Sequence, residues 1–271
     1  MLIYIYLAVS AVISIAVSVF SGLADSWGDI WIVLLLFLTA FLAIVIIHLA
    51  SIAIVSLFIK KKEPRPESLI RKFAIVSLDL LISLARVHVH VCGEEKLPSG
   101  TFVMVCNHKS LVDPVTALVA LRRRNLAFIS KKENVSVPVF GKYIAALGCL
   151  YLDRENVRAA MTTINTAAEQ VKSGKWSMAI CPEGTRNRTS EVLLPFHAGS
   201  FKIAQKAKSP LVIAVFRGTE LVKHNAVKRR TDVYIDILDV LPPERVGVMK
   251  TAEMAEYARE IMIADLEGDA K

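Results

Sequence analysis

The chain has 271 residues, 54% of them hydrophobic and 21% charged, with a formal net charge of +8 and a mean hydropathy of +0.48. This excludes a small stapled module and an intrinsically disordered chain, and it is too apolar for an ordinary soluble domain. The charge is unevenly placed: residues 1–59 hold no Lys or Arg and only Asp25 and Asp29, whereas residues 60–271 carry all 33 basic residues against 23 of the 25 acidic ones, a net of +10.

Residues 1–20 contain no charged side chain, and as a helix they reach roughly 30 Å, the thickness of a bilayer core. A polar turn around Trp27 follows, then a second apolar run from Ile30 to Ile59. Together they predict a helical hairpin in the membrane, spanning it or embedded in one leaflet, with a cleaved signal peptide disfavoured because no basic segment precedes the first run. His48, alone in the second run, reads as a packed histidine. Lys60, Lys61 and Lys62 then stop the run, and Pro64 and Pro66 block helix continuation. By the positive-inside rule this end, and the body behind it, faces the cytoplasm. The predicted division is a membrane hairpin at 1–59, a basic linker and interfacial helix at 60–86 (the helix, 67–86, lying at the membrane or capping the next domain), and an α/β domain at 87–271.

From Val87 onward short β-branched runs alternate with helical ones, the pattern of an α/β domain with a mixed sheet of about seven strands flanked by helices. Strands are predicted at 87–92, 101–106, 126–130, 149–152, 176–181, 210–216 and 231–240. Helices are predicted at 114–124, 138–147, 155–173, 198–208 and 251–266. His88 and His90 share one face of the first strand with no third ligand nearby, so an exposed strand face is favoured over a metal site. Cys92, Cys106, Cys149 and Cys181 form no CxxC pair and read as buried free thiols. The basic runs 60–62, 122–124 and 228–230 lack interleaved aromatic residues, which disfavours a nucleic-acid partner.

Chemistry-bearing residues collect at strand ends. Asn107-His108-Lys109-Ser110-Leu111-Val112-Asp113 follows the second strand. Pro114 after Asp113 makes Asp113 a candidate N-cap. The functional alternative folds Asp113 back to orient the His108 imidazole and stabilise its cation. Cys181-Pro182-Glu183-Gly184-Thr185-Arg186 follows the fifth strand, and can offer a carboxylate, backbone donors and a guanidinium to one ligand, or close a local Glu183–Arg186 ion pair. Gly148–Arg154 (GCLYLDR) leaves Asp153 and Arg154 at a third strand end. In an α/β sheet such ends converge where ligands bind.

With NHKSLVD at 107–113, GCLYLDR at 148–154, CPEGTR at 181–186 and PLVIAV at 210–215, the chain resembles the 1-acyl-sn-glycerol-3-phosphate (lysophosphatidic acid) acyltransferase family of the glycerolipid acyltransferase superfamily. The segments 131–148 and 195–204 also look like the family's connections, so the resemblance covers roughly residues 87–245. Cys181 stands where Phe is usual, Asn134 where Leu is common, and Ala214 where a second Pro is frequent; these departures bear on pocket shape.

The resemblance implies transfer of a fatty acyl group from a thioester, acyl-CoA or acyl-ACP, to the sn-2 hydroxyl of a lysophosphatidate, with no bound cofactor and no metal. His108 is then the general base, Asp113 orients it, and Ser110 is the runner-up nucleophile. Arg186, Arg154 and Lys131 become candidates for the acceptor phosphate. Glu183 would contact glycerol hydroxyls or hold Arg186, and Gly184 and Thr185 would supply backbone donors. The basic surplus would draw the body to anionic membrane lipids. Two rivals remain: the same chemistry on glycerol-3-phosphate or another lysophospholipid, and a non-catalytic basic membrane scaffold.

Overall fold

The structure, a computed structural model, describes residues 2–23, 26–59, 64–226 and 228–268. Lys60, Lys61 and Lys62, the basic stop behind the hairpin, lie outside the described residues. Helices α1 (Leu2–Ser21) and α2 (Ile30–Phe58) form the hairpin. Both are long and apolar enough to cross a membrane, with mean hydropathies of 2.4 and 3.2, and most of their apolar side chains are exposed. The buried positions of α1 are Ser10, Ser14 and Ser18, a stripe of small residues four apart that allows close helix approach. Two of the hydroxyls return to carbonyls one turn back, Ser10 to Tyr6 at 2.7 Å and Ser18 to Ser14 at 2.8 Å.

Helix α3 (Leu69–Leu84) is capped by Ser68, whose hydroxyl accepts the Arg71 N–H at 3.2 Å. It caps the α/β domain. Ala74 and Ile75 join the core under the sheet and Ile82 joins a second cluster; Ile75 and Ile82 each contribute about 1.5–3 kcal/mol. His48 is packed, and it ties three helices: Nδ1 lies 3.0 Å from the Tyr6 hydroxyl of α1 and Nε2 lies 3.1 Å from the Ser77 hydroxyl of α3.

All seven expected strands form, within two residues of their expected limits: β1 (Val87–Cys92), β2 (Val103–Cys106), β3 (Leu126–Lys131), β4 (Leu150–Leu152), β5 (Ser177–Ile180), β6 (Leu211–Arg217) and β7 (Thr231–Leu241). The sheet order is β1-β7-β6-β2-β5-β3-β4. Among the described residues only the β6/β7 pair is antiparallel, so β1, parallel to β7, runs against β2 to β6. Strands β2 and β5 are buried at every residue, which is why they read as unbroken apolar runs rather than alternating ones.

Helices α4 (Asp113–Ala120), α5 (Phe140–Ala146), α6 (Val157–Lys172), α7 (Lys202–Ala207), α8 (Val222–Asn225), α9 (Pro243–Val248) and α10 (Thr251–Gly268) flank the sheet. The helix expected to run to 124 stops at Ala120, because Arg122–Arg124 tighten to a 3-10 turn and Asn125 turns left-handed at φ 47°. The turns α8 and α9 are too short to have left a periodic signal. Cys92 corrects the reading of four buried thiols: it ends the edge strand β1 and is exposed, while Cys106 and Cys149 are buried and Cys181 is half-buried.

The hairpin has a definite direction relative to the sheet. Because β1 is reversed, its first residue sits at the edge where β2 and β6 end, and α3 climbs toward that edge. Phe73 packs near Tyr143, whose hydroxyl donates to the Ile52 carbonyl at 2.9 Å, while Ser77 meets His48; α2 therefore runs antiparallel to α3. From His48 back to Ile30, α2 continues about 27 Å at roughly 1.5 Å per residue. The free end of the hairpin thus projects on the side of the sheet where β2, β3, β4 and β5 end.

Gly148, just before β4, has φ 88°, and a Cβ there would stand 2.7 Å from the ring of the buried Trp176. Gly148→Ala combines left-handed strain with overpacking and is expected to cost about 2–4 kcal/mol. A lowered unfolding midpoint in denaturant titration of the detergent-solubilised protein checks this.

Candidate active site

The first component is the loop leaving β2. Asn107 is 0% exposed and prolongs the β2/β6 ladder with its side chain: Nδ2 donates to the Phe216 carbonyl at 3.0 Å, and Oδ1 accepts the Phe216 N–H at 2.7 Å. A primary amide carries the same donor and acceptor as a peptide group, so it can replace one rung where the strand must turn away. This anchors the backbone at residue 107 and hands the next residue, His108, to the sheet edge.

Asp113 opens α4 but does not cap it. Its carboxylate is 0% exposed and turns back along the loop: Oδ2 accepts from His108 Nδ1 at 2.8 Å, from the Lys109 N–H at 2.9 Å and from the Ser110 N–H at 2.9 Å. The N-cap expectation is corrected accordingly, since the cap position is Val112. The start of α4 still favours negative charge at Asp113. Oδ1 is buried without a partner, so three donors converge on one oxygen. A carboxylate only accepts, so it fixes the proton on Nδ1 and leaves the Nε2 lone pair available. The His108 side chain is 22% exposed, enough for a small reactant to reach it. The Ser110 hydroxyl accepts the Val112 N–H at 3.2 Å and shapes the loop.

The second component is the turn after β5, the strand beside β2. Glu183 is 3% exposed, with Oε1 accepting the His108 N–H at 2.7 Å and Oε2 accepting the Leu194 N–H at 3.0 Å. Burial raises its pKa, and the two backbone bonds pull it back. Both oxygens hold the protein's own backbone, so Glu183 clamps the chain that carries the imidazole. Asn187 completes the clamp, its N–H donating to the His108 carbonyl at 2.7 Å. The Gly184 N–H is taken by the Cys181 carbonyl at 3.0 Å, closing the turn.

Gly184 has φ 73°, and its missing Cβ makes room for two side chains: the Cβ position lies 2.9 Å from His197 Cδ2 and 3.7 Å from Arg154 Nη1. Arg154, at the end of β4, therefore reaches across β3 to the turn after β5. Arg186 is half-buried and Thr185 exposed on the same turn. Lys131, at the end of β3, pairs with Glu133 at 3.2 Å, and the neighbouring Lys132 pairs with Asp153 at 2.9 Å. His108, Arg186, Lys131 and Arg154 thus follow the strand order β2, β5, β3, β4 along one edge, an imidazole base at one end and cations beside it.

Asn107, Asn187 and His197 had been given no role from sequence. The first two act through bonds to backbone groups distant in sequence, and His197 lies in the segment 195–204, visible only as a connection. Among the described residues no group of three His, Cys, Asp or Glu side chains gathers to hold a metal. His90 instead bonds Asp232 at 2.7 Å and stacks on Tyr234.

A family model described as Acyltransferase matches residues 88–217. The 1-acyl-sn-glycerol-3-phosphate acyltransferase of Saccharomyces cerevisiae is 34% identical over 181 residues, 66% of this chain and 59% of that protein. This chain therefore spans about three fifths of the yeast protein's length. The Bacillus subtilis protein of the same description is 33% identical over 162 residues, 58% of this chain and 78% of that protein. The crystal structure of the 1-acyl-sn-glycerophosphate (LPA) acyltransferase PlsC from Thermotoga maritima superposes with a TM-score of 0.58 at 26% identity, covering 73% of this chain and 80% of that one.

Asn107→Ala leaves the buried N–H and C=O of Phe216 without partners. Stability should fall by about 2–4 kcal/mol, read as a shift of the denaturation midpoint.

Proposed function

The chain belongs to the 1-acyl-sn-glycerol-3-phosphate acyltransferase family, and on that premise we propose that it transfers a fatty acyl group from an acyl thioester to the sn-2 hydroxyl of 1-acylglycerol-3-phosphate, yielding phosphatidate. The observation that carries the reading is the His108–Asp113 pair, with Nδ1 tied to a buried carboxylate at 2.8 Å and the imidazole still 22% exposed. A hydroxyl is a weak nucleophile until a base takes its proton in the transition state. Nε2 takes it as the oxygen attacks the thioester carbonyl, and the new C–O bond forms. Asp113 stabilises the imidazolium that results. The tetrahedral intermediate collapses, the C–S bond breaks, and the imidazolium returns its proton to the departing thiolate. Acyl transfer is direct, and His108 ends as it began.

Arg186, Arg154 and Lys131 are assigned to the acceptor phosphate, the guanidinium groups binding it through paired donors. Lys131 must exchange its partner Glu133 for the phosphate, and the pair is exposed enough for that to cost little. The Thr185 N–H is assigned as a backbone donor to the substrate. The donor is a thioester of coenzyme A or of acyl carrier protein.

The apolar hairpin associates the protein with a membrane. Its projection beyond the catalytic edge supports uptake of lysophosphatidate directly from the leaflet, with the basic body drawn to anionic lipids. The net of +10 over residues 60–271, with the Lys60–Lys62 run beside the hairpin, supports a catalytic domain on the cytoplasmic side.

His108→Ala should abolish phosphatidate formation from labelled acyl thioester and 1-acylglycerol-3-phosphate by the purified full-length protein. Retention of a tenth of the rate or more removes His108 as base. In the same assay glycerol-3-phosphate and uncharged lysolipids should be poor acceptors, and an acceptor preferred over lysophosphatidate reassigns the substrate. Glu183→Gln should lower kcat about tenfold, the effect of one impaired hydrogen bond of about 1.4 kcal/mol, with KM for the acceptor unchanged. A rise in KM alone would instead mean that Glu183 touches substrate.

A further inference from the structure

The opposite edge of the sheet carries a second charged cleft, away from His108. Arg71, in the first turn of α3, is 5% exposed, and its Nε and Nη2 atoms are buried with no hydrogen-bond acceptor. Its guanidinium lies 5.1 Å over the ring of Trp176, whose own Nε1 is likewise buried without an acceptor. Among the described residues no acidic side chain forms an ion pair with Arg71. The Glu67 carboxylate acts on Arg71 through its field; no ion pair links them among the described residues. Burial pushes the Cys149 thiol up to about 11, so it stays neutral. A buried guanidinium with unfilled donors is costly to keep, and an anion that fills them relieves the cost.

A cleft lined by Arg71 gathers further cations. Lys72 and Arg122 line it with Arg71, against the single acid Glu67, and Ile75 and Val76 form an apolar wall. The N-terminus of the 16-residue helix α3 adds its positive end to the same place. Arg122 follows α4, and Trp176 precedes β5, so the cleft opens where β3 and β5 begin. The catalytic residues stand where those strands end. The hairpin's free end also projects from the catalytic side, which leaves this cleft on the face turned away from it.

We propose that Arg71, Lys72 and Arg122 form a second, non-catalytic binding site for a phosphate-bearing anion. The planar fork of Arg71 supplies paired donors to phosphate oxygens, while Lys72 and Arg122 close over the anion from the surface. A free phosphate compound and the headgroup of an anionic phospholipid present the same chemistry to these three side chains. The site is independent of acyl transfer and is tested by binding alone.

Trp176 reports directly on the site, since the guanidinium rests on its ring. In the full-length protein carrying Trp27→Phe and Trp31→Phe, held in neutral detergent micelles, Trp176 is the only remaining tryptophan. Its emission is titrated with potassium phosphate at constant ionic strength and, separately, with monomeric dihexanoylphosphatidylglycerol; KCl serves as the control. The expected result is a saturable change with at least one phosphate probe and none with KCl. Affinity should weaken about tenfold or more in Lys72→Gln/Arg122→Gln, a pair of exposed substitutions that leaves the core intact. Saturation by inorganic phosphate identifies a free phosphate species as ligand, and saturation by the lipid alone identifies a headgroup. No saturable change with either probe, or equal affinity in the double variant, overturns the proposal.

Discussion

One carboxylate oxygen organises the catalytic edge. Asp113 Oδ2 receives the His108 imidazole and the backbone N–H groups of Lys109 and Ser110, which curls seven residues into a loop that no helix or strand could provide. In a continuous helix His108 and Asp113 would diverge by about 140°; the turn brings them to 2.8 Å. Because the carboxylate is fully buried, water does not compete for these bonds, and each counts for more than it would at the surface. The same oxygen therefore sets the loop, the imidazole orientation and the tautomer. Asn107 and Glu183 extend that control: one fixes the chain before the imidazole to β6, and the other fixes the His108 amide to the turn after β5.

Much of this was legible in the residues before any coordinates. Seven short apolar runs became seven strands, and the uncharged leader became the hairpin, because both signals are local in the chain. The strand-end loops were recognisable because polar residues there have no periodic reason to exist. Other features depended on sheet order. That Glu183 would clamp the His108 backbone follows only once β5 lies beside β2. Asn107 bonds Phe216 across 109 positions, and nothing in the segment NHKSLVD announces it. Nothing within the segment 67–86 marks Arg71 for burial; its packing against Trp176 is a contact across more than 100 positions.

The hairpin and the catalytic edge are linked by the reversal of β1. Had β1 run with β2, α3 would climb away from the catalytic edge, and the hairpin's free end would project from the opposite face. The antiparallel β6/β7 pair reverses β1 in turn, and the His48 junction with Tyr6 and Ser77 fixes α1 and α2 to α3. The apolar composition is thus concentrated in an element that projects past the strand-end edge of a basic α/β body. The two ends of the sheet then differ in kind: the proposed acyl-transfer site at the strand ends, and a cationic cleft at their beginnings.

The account's central claim is that His108 activates the acceptor hydroxyl for direct attack, with no covalent acyl-protein stage. A rapid-quench single turnover tests it most directly, with excess protein, radiolabelled acyl thioester and lysophosphatidate, and protein-bound label counted at each time point after denaturation and delipidation. The account predicts that label passes from thioester to phosphatidate with none on the protein at any time. Label that appears on the protein, for instance as a Ser110 ester, and then chases into phosphatidate at the rate of product formation would contradict it.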